Sequence, residues 1–443
     1  MAVPVAEQSR AADTAVSPAP RLPSSLPSLP WIRALREALI FWLGTRVVYA
    51  LITWVAALFG DAAVSQTTPA VAIPPDQLLM HWWFWDAAFY AHIASQGYDI
   101  TGTQRFFPLY PALIHLIAQP FGLTSGVALL AIAMSLSSLA TLAAWYGLML
   151  LARHEGLWHP TPRLVMYGLA AFPLAFFLFA GYADALFLAL AVWALLAARR
   201  RWWYLAALCG MLAALCRPTG LALGLPLVWE YGHTWWAGRA FPRDDKAWLR
   251  RMRRAGEAAA AILAVPLGIG IWSVYCWRQW GDPLIWLHTQ QSASGRVLMP
   301  PWEGVWLAIQ QLAALPAWSY DQARAMIDVL PLLWLMLACI WLALPIRLRL
   351  GRWISITRPA QPAIYTLYLA GLLALFTMAP MVHDRLPDML AGDGRYVLAA
   401  VPLWLATGHW LARHRQVEGW LLIAGWVLQT LFVAFEFAHG ALV

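Results

Sequence analysis

Charge is what this chain has least of. Only 12% of its 443 residues are Asp, Glu, Lys or Arg, against about 25% in soluble domains. A soluble globular protein is excluded. Cysteine is scarce as well. Cys209, Cys216, Cys276 and Cys339 lie mostly in apolar segments without metal-ligand spacing, so they read as core packing. There is no Walker-type loop, no GxGxxG leading out of a strand pattern, no HExxH and no tandem repeat, so ATP-driven and zinc-hydrolase chemistries lack their motifs. Residues 1–30 are rich in Ala, Pro and Ser and have no apolar core. They cannot bury enough surface to offset chain entropy, and a disordered tail is expected. A cleavable signal peptide is not expected, because the first apolar run comes late and is long.

Apolar residues fill the space that charge leaves. They make up 61% of the sequence, and the mean hydropathy is +0.60. An all-α polytopic membrane protein follows. The 29 tryptophans exceed what a core needs and suit interfacial belts. The net charge of +8 is clustered. In a membrane protein, clustered Lys/Arg reports topology before nucleic acid, and no nucleic-acid partner is expected.

Membrane-length apolar segments run over 35–59, 127–151, 164–180, 183–198, 202–216, 219–236, 257–279, 325–345, 361–380, 395–411 and 418–438. This gives about 11 spans, plus or minus two, several of them short. The basic clusters are Arg199-Arg200-Arg201, the stretch 239–254, Arg347/Arg349/Arg352, Arg413/Arg415, and more weakly Arg153/Arg163. All fall on one side if Arg217-Pro218 marks a helix break, and that side is the cytoplasm. The opposite side then carries a first outer loop at 60–126 and a second at 280–322. Residues 106–121 contain Pro108, Pro111 and Pro120. Were they a span, the later basic loops would alternate wrongly, so they read as a re-entrant or surface-lying hairpin beside a cavity. Residues 31–443 read as one transmembrane domain.

The most informative stretch lies in the first outer loop. His81-Trp-Trp-Phe-Trp85-Asp86-Ala-Ala-Phe-Tyr90-Ala-His92 leads to Gly97-Tyr98 and then Arg105-Phe106-Phe107-Pro108-Leu-Tyr110-Pro111. Interfacial anchoring explains the tryptophans, but not a carboxylate among them; an ionisable group at the membrane is a functional hypothesis by default. A helix over 80–96 would place Asp86, Tyr90, Ile93 and Gly97 on one face. His92 would fall on another face, as a hydrogen-bonded structural histidine. Arg105, Arg217, Arg296, Arg385 and Arg395 supply cations on this side, and Asp184, Gln290, Gln291 and His288 supply hydrogen-bonding groups. Snorkelling at helix ends is the plainer account of each arginine. Taken together they suit a different chemistry. A phosphate leaving group needs cations, and an acceptor hydroxyl needs a base.

The ordered motifs carry a resemblance. Trp85-Asp86-Ala-Ala-Phe-Tyr90-Ala-His92-Ile-Ala with Gly97-Tyr98, then Phe106-Phe107-Pro108-Leu-Tyr110-Pro111, Gly181-Tyr182-Ala183-Asp184, Arg217-Pro218-Thr219-Gly220, Gly281-Asp282-Pro283-Leu284, and Gly394-Arg395-Tyr396 with Pro402 resemble the GPI mannosyltransferase II (PIG-V-like) family of the GT-C glycosyltransferases. The likeness covers about residues 81 to 405. Asp184 stands where that family usually has Glu, Ala185 where it has Ser, and Thr219 where it has Asn.

The resemblance implies a GT-C-like bundle and inverting transfer of a sugar, mannose foremost, from a polyprenyl- or dolichyl-phosphate donor to an acceptor hydroxyl at the outer face. Asp86 would be the base. Arg217 and Arg395 would hold the lipid phosphate. Trp85, Tyr90, Arg105, Phe106, Phe107, Tyr110, Asp184, Gln290 and Tyr396 would line the substrate cavity. No cofactor and no metal are expected. Glycolipid, polysaccharide and protein stand as possible acceptors, and a bacterial plasma membrane is the expected location. The alternative is a flippase or transporter of a lipid-linked sugar, binding the same ligand without chemistry; the one-sided polar inventory and the lack of repeats disfavour it.

Overall fold

The structure is a computed structural model describing residues 30–62, 75–157, 160–237, 245–343, 362–381, 392 and 394–439. Its chain order is α1 (Pro30–Ala62), α2 (Pro75–Met80), α3 (Asp86–Gln96), α4 (Leu109–Ala118), α5 (Gly126–His154), α6 (Thr161–Ala170), α7 (Asp184–Arg199) and α8 (Trp203–Cys216). There follow α9 (Gly224–Ala237), α10 (Asp245–Trp280), α11 (Ile285–Ser294), α12 (Pro301–Ala314), α13 (Tyr320–Ala343), α14 (Pro362–Thr377), α15 (Val401–Arg413) and α16 (Arg415–His439). Short 3-10 turns join several of them. Among the described residues the extended pairing amounts to one antiparallel bridge, Arg296 to Met381. The tail call on residues 1–30 falls outside the described residues except for Pro30. So do Arg347, Arg349, Arg352 and Arg385.

The expected all-α polytopic architecture is what the structure has. Helices α1, α5, α10, α13 and α16 are long and apolar enough to cross a membrane. The other six apolar segments are also helical, but each is shorter or made of two pieces. The segment 164–180 breaks after Ala170 and resumes as a 3-10 turn at Ala175–Leu178. Pro173 is the cause: it disfavours α geometry in the residue before it and cannot donate into the preceding turn. The segment 395–411 divides likewise, a 3-10 turn at Gly394–Ala399 passing into α15 just before Pro402.

The first outer loop differs from expectation in one respect. The expected helix over 80–96 begins only at Asp86, and residues 81–85 separate it from α2. Trp82 is the reason. Its indole is 1% exposed, donates to Thr53 Oγ1 at 3.0 Å, and meets Phe179 and Phe437 edge-on. Between that anchored ring and Asp86, the backbone at Trp85 has φ 43, outside helical geometry, and the helix starts after it. Residues 106–121, expected as a hairpin, hold the ten-residue α4, which packs against α3 and α5.

At the other end of the molecule, the tip of α7 is tied to its neighbours. Arg199 Nε donates to Glu155 Oε1 at 2.6 Å and its Nη1 to Glu230 Oε2 at 3.0 Å. That joins the ends of α5 and α7 to α9.

Candidate active site

Asp86 is the first residue of α3. The position suits it, because the free N–H groups of a helix start favour a carboxylate. The alanines behind it favour the helix itself. Trp85, which caps the helix, has φ 43, a left-handed backbone that side chains other than glycine rarely adopt and that costs roughly 1–3 kcal/mol. The chain is bent there to bring Asp86 round.

What Asp86 meets is Arg395, 309 residues along the chain. Arg395 Nη2 donates to Asp86 Oδ2 at 2.6 Å. The guanidinium is 7% exposed and the carboxylate 20%. The cation lies over the rings of Tyr182, Phe177 and Tyr396 at 5.0, 5.3 and 5.4 Å. A second pair stands beside the first: Arg217 Nη1 donates to Asp184 Oδ1. Arg217 lies over the Tyr396 ring as well, at 4.4 Å. Tyr396 therefore holds both arginines.

Local sequence explains each position. Helix α8 stops at Cys216, because Arg217 precedes Pro218 and takes an extended backbone, φ −153. Gly220 lets the chain turn back against α8, since a Cβ there would come within 2.6 Å of the backbone of Ala213 and Ala214. Asp184 opens α7, again at a helix start. The turn before it is fixed by a buried relay. Tyr110 Oη lies 2.7 Å from Ser137 Oγ, which donates to Tyr182 O at 2.8 Å.

The rim is aromatic and cationic. Phe106 stacks on Phe89 and meets Tyr90 edge-on. Arg105 lies over Phe89 and Phe106 at 5.3 and 5.0 Å. Burial lowers the Arg105 pKa; the nearby Asp86 charge opposes this and Arg296 adds to it. Burial raises the Tyr90 pKa well above the ordinary phenol, and Asp86 pushes the same way, so Tyr90 keeps its proton at neutral pH.

The structure thus brings together Asp86, Tyr90, Arg105, Phe106, Asp184, Arg217, Arg395 and Tyr396. It places others elsewhere. Phe107 packs with Trp272 and Trp286 in a separate cluster. Tyr110 is fully buried with its hydroxyl occupied, so it braces the Tyr182 turn rather than facing a cavity. Trp85 stands at the site, half exposed. Gln290 is half-buried on α11, which packs beside the Thr103–Arg105 turn, and its side chain hydrogen-bonds to no described residue. His92 pairs with Asp99 at 2.6 Å, a structural contact. Sequence reasoning passed over Tyr182 and Phe177 as the faces that shelter Arg395. Tyr182 stood inside a motif already noted; Phe177 carried no signal beyond its phenylalanine-rich run.

The open valences matter most. Arg395 Nε and Nη1 are buried with no hydrogen-bond partner among the described residues. Asp86 Oδ1 accepts from no described residue, and its side chain keeps contact with solvent. Among the described residues no three His, Cys, Asp or Glu side chains come together as a metal site.

No family model and no curated protein matches this chain. Solved structures do. ArnT from Cupriavidus metallidurans in the apo state aligns at 17% identity with a TM-score of 0.45, covering 87% of this chain and 63% of that one. The same protein bound to undecaprenyl phosphate aligns at 16% identity and 0.47, covering 89% and 70%. The Archaeoglobus fulgidus oligosaccharyltransferase in complex with Zn and sulfate aligns at 13% identity and 0.38, covering 89% and 52%. The chain therefore spans a little over half to about two thirds of these larger proteins.

Proposed function

We propose that the chain is a membrane glycosyltransferase that moves a sugar, mannose by the PIG-V-like resemblance, from a polyprenyl-phosphate donor to an acceptor hydroxyl on the outer side of a bacterial plasma membrane. One observation carries the reading: the Asp86–Arg395 pair is open at both ends. A buried arginine with two guanidinium nitrogens unmet among the described residues needs an acceptor, since leaving buried donors unpaired is costly. A phosphate oxygen is the acceptor its planar fork fits best. Three cations, Arg105, Arg217 and Arg395, face two carboxylates, Asp86 and Asp184. A site this rich in guanidinium groups suits an anionic ligand.

The chemistry follows from those valences. Asp86 Oδ1 accepts the proton of the incoming hydroxyl as its oxygen attacks the anomeric carbon of the sugar. The bond from that carbon to the lipid phosphate breaks, and its electron pair leaves on the phosphate oxygen. Arg395 Nε and Nη1, with Arg217 close by, stabilise that charge as it develops. Attack opposite the leaving group inverts the anomeric centre. Tyr90, protonated, donates to a sugar hydroxyl, and Phe106 walls the cavity. Arginines meet the phosphate charge in this scheme, and it includes no metal.

The test is transfer in liposomes from radiolabelled polyprenyl-phosphate-mannose, with extracted lipids as acceptor, by wild type and Asp86→Asn. Label in a new product with wild type alone is the expected result. Donor binding without transfer to any acceptor fraction would shift the assignment to a carrier of lipid-linked sugar.

A further inference from the structure

One buried carboxylate lies outside the constellation. Asp328 sits on α13, a helix long and apolar enough to cross a membrane, and is only 4% exposed. A carboxylate in that setting is costly unless it is satisfied. Backbone amides satisfy it: Oδ1 accepts from Gly394 N–H at 2.6 Å and Oδ2 from Gly392 N–H at 3.2 Å. Both glycines are demanded by the geometry. Gly392 has φ 78. A Cβ on Gly394 would come within 2.6 Å of Ile327 O and 2.8 Å of Asp328 Oδ1. Amides from two nearby residues thus converge on one carboxylate, as in the backbone concavities that hold anions. The next residue is Arg395.

Arg395 has little of its own to fix it. Its guanidinium makes one hydrogen bond, to Asp86, and otherwise rests on ring faces. Where its head group ends up is therefore set by where its backbone starts. We propose that Asp328 is a positioning residue for the active site. By gripping the amides of Gly392 and Gly394 it sets the start of the Gly394–Ala399 turn, and so the depth at which Arg395 reaches Asp86. Asp328 grips the two glycine amides and acts through Arg395. The leverage is large because displacing a catalytic group by about 1 Å costs on the order of a hundredfold in rate.

The effect on turnover rests on the glycosyltransferase reading; the grip itself does not. Two measurements separate them. The first is amide hydrogen exchange, followed by mass spectrometry in detergent, on wild type, Asp328→Asn and Asp328→Ala. Peptides covering 394–399 should exchange about tenfold faster in Asp328→Ala, with a smaller rise in the near-isosteric Asp328→Asn, while peptides from α5 and α7 stay unchanged. No change at 394–399 would overturn the proposal, whatever reaction the protein catalyses.

The second is a double-mutant cycle on transfer, using Asp328→Asn, Arg395→Ala and both together. Asp328→Asn alone should lower kcat about tenfold with donor KM within about threefold. In the Arg395→Ala background it should add less than about twofold, because the two residues act as one unit. Losses that multiply, or full activity in both Asp328 variants, would overturn the positioning role. A wild type that neither binds donor nor transfers would sink the glycosyltransferase reading and leave the exchange result to judge the grip.

Discussion

Helix α7 has an ion pair at each end, and the two ends are built to opposite rules. At its last residue Arg199 spends its fork on two carboxylates, Glu155 and Glu230, with contacts of 2.6 to 3.5 Å. At its first residue Asp184 pairs with Arg217, beside the Asp86–Arg395 pair, where two guanidinium nitrogens of Arg395 and one oxygen of Asp86 are unmet among the described residues. The ends lie roughly 22 Å apart at helical rise. Both ends hold buried charge, which is expensive. The closed end meets that cost with protein alone, and it is a staple between helices. The open end meets it only in part among the described residues, and the proposed donor phosphate would supply the rest. A buried ion pair by itself says little about function; the hydrogen bonds it leaves unmade say much more.

The contrast can be broken at either end. The largest effect is expected from Asp86→Asn, which should cut transfer per folded molecule about 10²–10⁴-fold, the range for loss of a general base, and should also lower the thermal midpoint, because buried Arg395 loses its counter-charge. Transfer per folded molecule close to wild type would show that Asp86 serves the fold instead. Next is Arg395→Ala. It should lose transfer about a hundredfold and abolish the rise in thermal midpoint that polyprenyl phosphate gives wild type. Arg395→Lys should recover little, because an ammonium lacks the planar fork.

The closed end should behave in the opposite way. Arg199→Ala leaves two buried carboxylates without their cation and should destabilise by about 3–5 kcal/mol, read as a lower midpoint. Turnover per folded molecule should stay at the wild-type value. Loss of turnover in the surviving folded fraction would show that the two ends are coupled.

The smallest effect is away from both ends, at the surface pair His92–Asp99. The His92 hydrogen bond holds the Asp99 carboxyl below the ordinary carboxylate range. A depressed carboxylate contributes stability that is present above its unfolded pKa and lost as pH falls through its folded value. The acid side of the midpoint-against-pH curve should therefore be slightly flatter in Asp99→Asn, with transfer at neutral pH unaffected. Exposure of the Asp99 side chain to solvent keeps the difference small.

Much of this was legible in the chain itself. Low charge, long apolar runs and clustered arginines define a helical membrane protein, and five of the runs carry full spanning length. Asp86 was conspicuous because nothing about membrane anchoring explains a carboxylate among tryptophans. The break at Arg217-Pro218 was equally plain, because proline acts on its own neighbour. What local pattern could not supply was the partner across 309 residues. Arg395 was expected on a phosphate, and the structure places it on Asp86, with only its remaining donors left for a ligand. Asp328 was hidden for a different reason: it lies inside an apolar run, and the Gly392 and Gly394 contacts are to backbone amides, which every residue but proline has. The start of α3 was misjudged because the pocket for Trp82 overrode helical periodicity.

Trp85 has one further consequence. Its left-handed backbone is a conformation in which glycine would rest without strain. A search for heat-tolerant variants would be drawn to this position, because relief of the bend is a gain open to a single codon change. The same change would remove the indole from beside Asp86 and slacken the corner that presents the carboxylate. Heat tolerance and turnover would thus be traded against each other at one residue, and natural selection, acting on turnover, has reason to keep the less comfortable side chain.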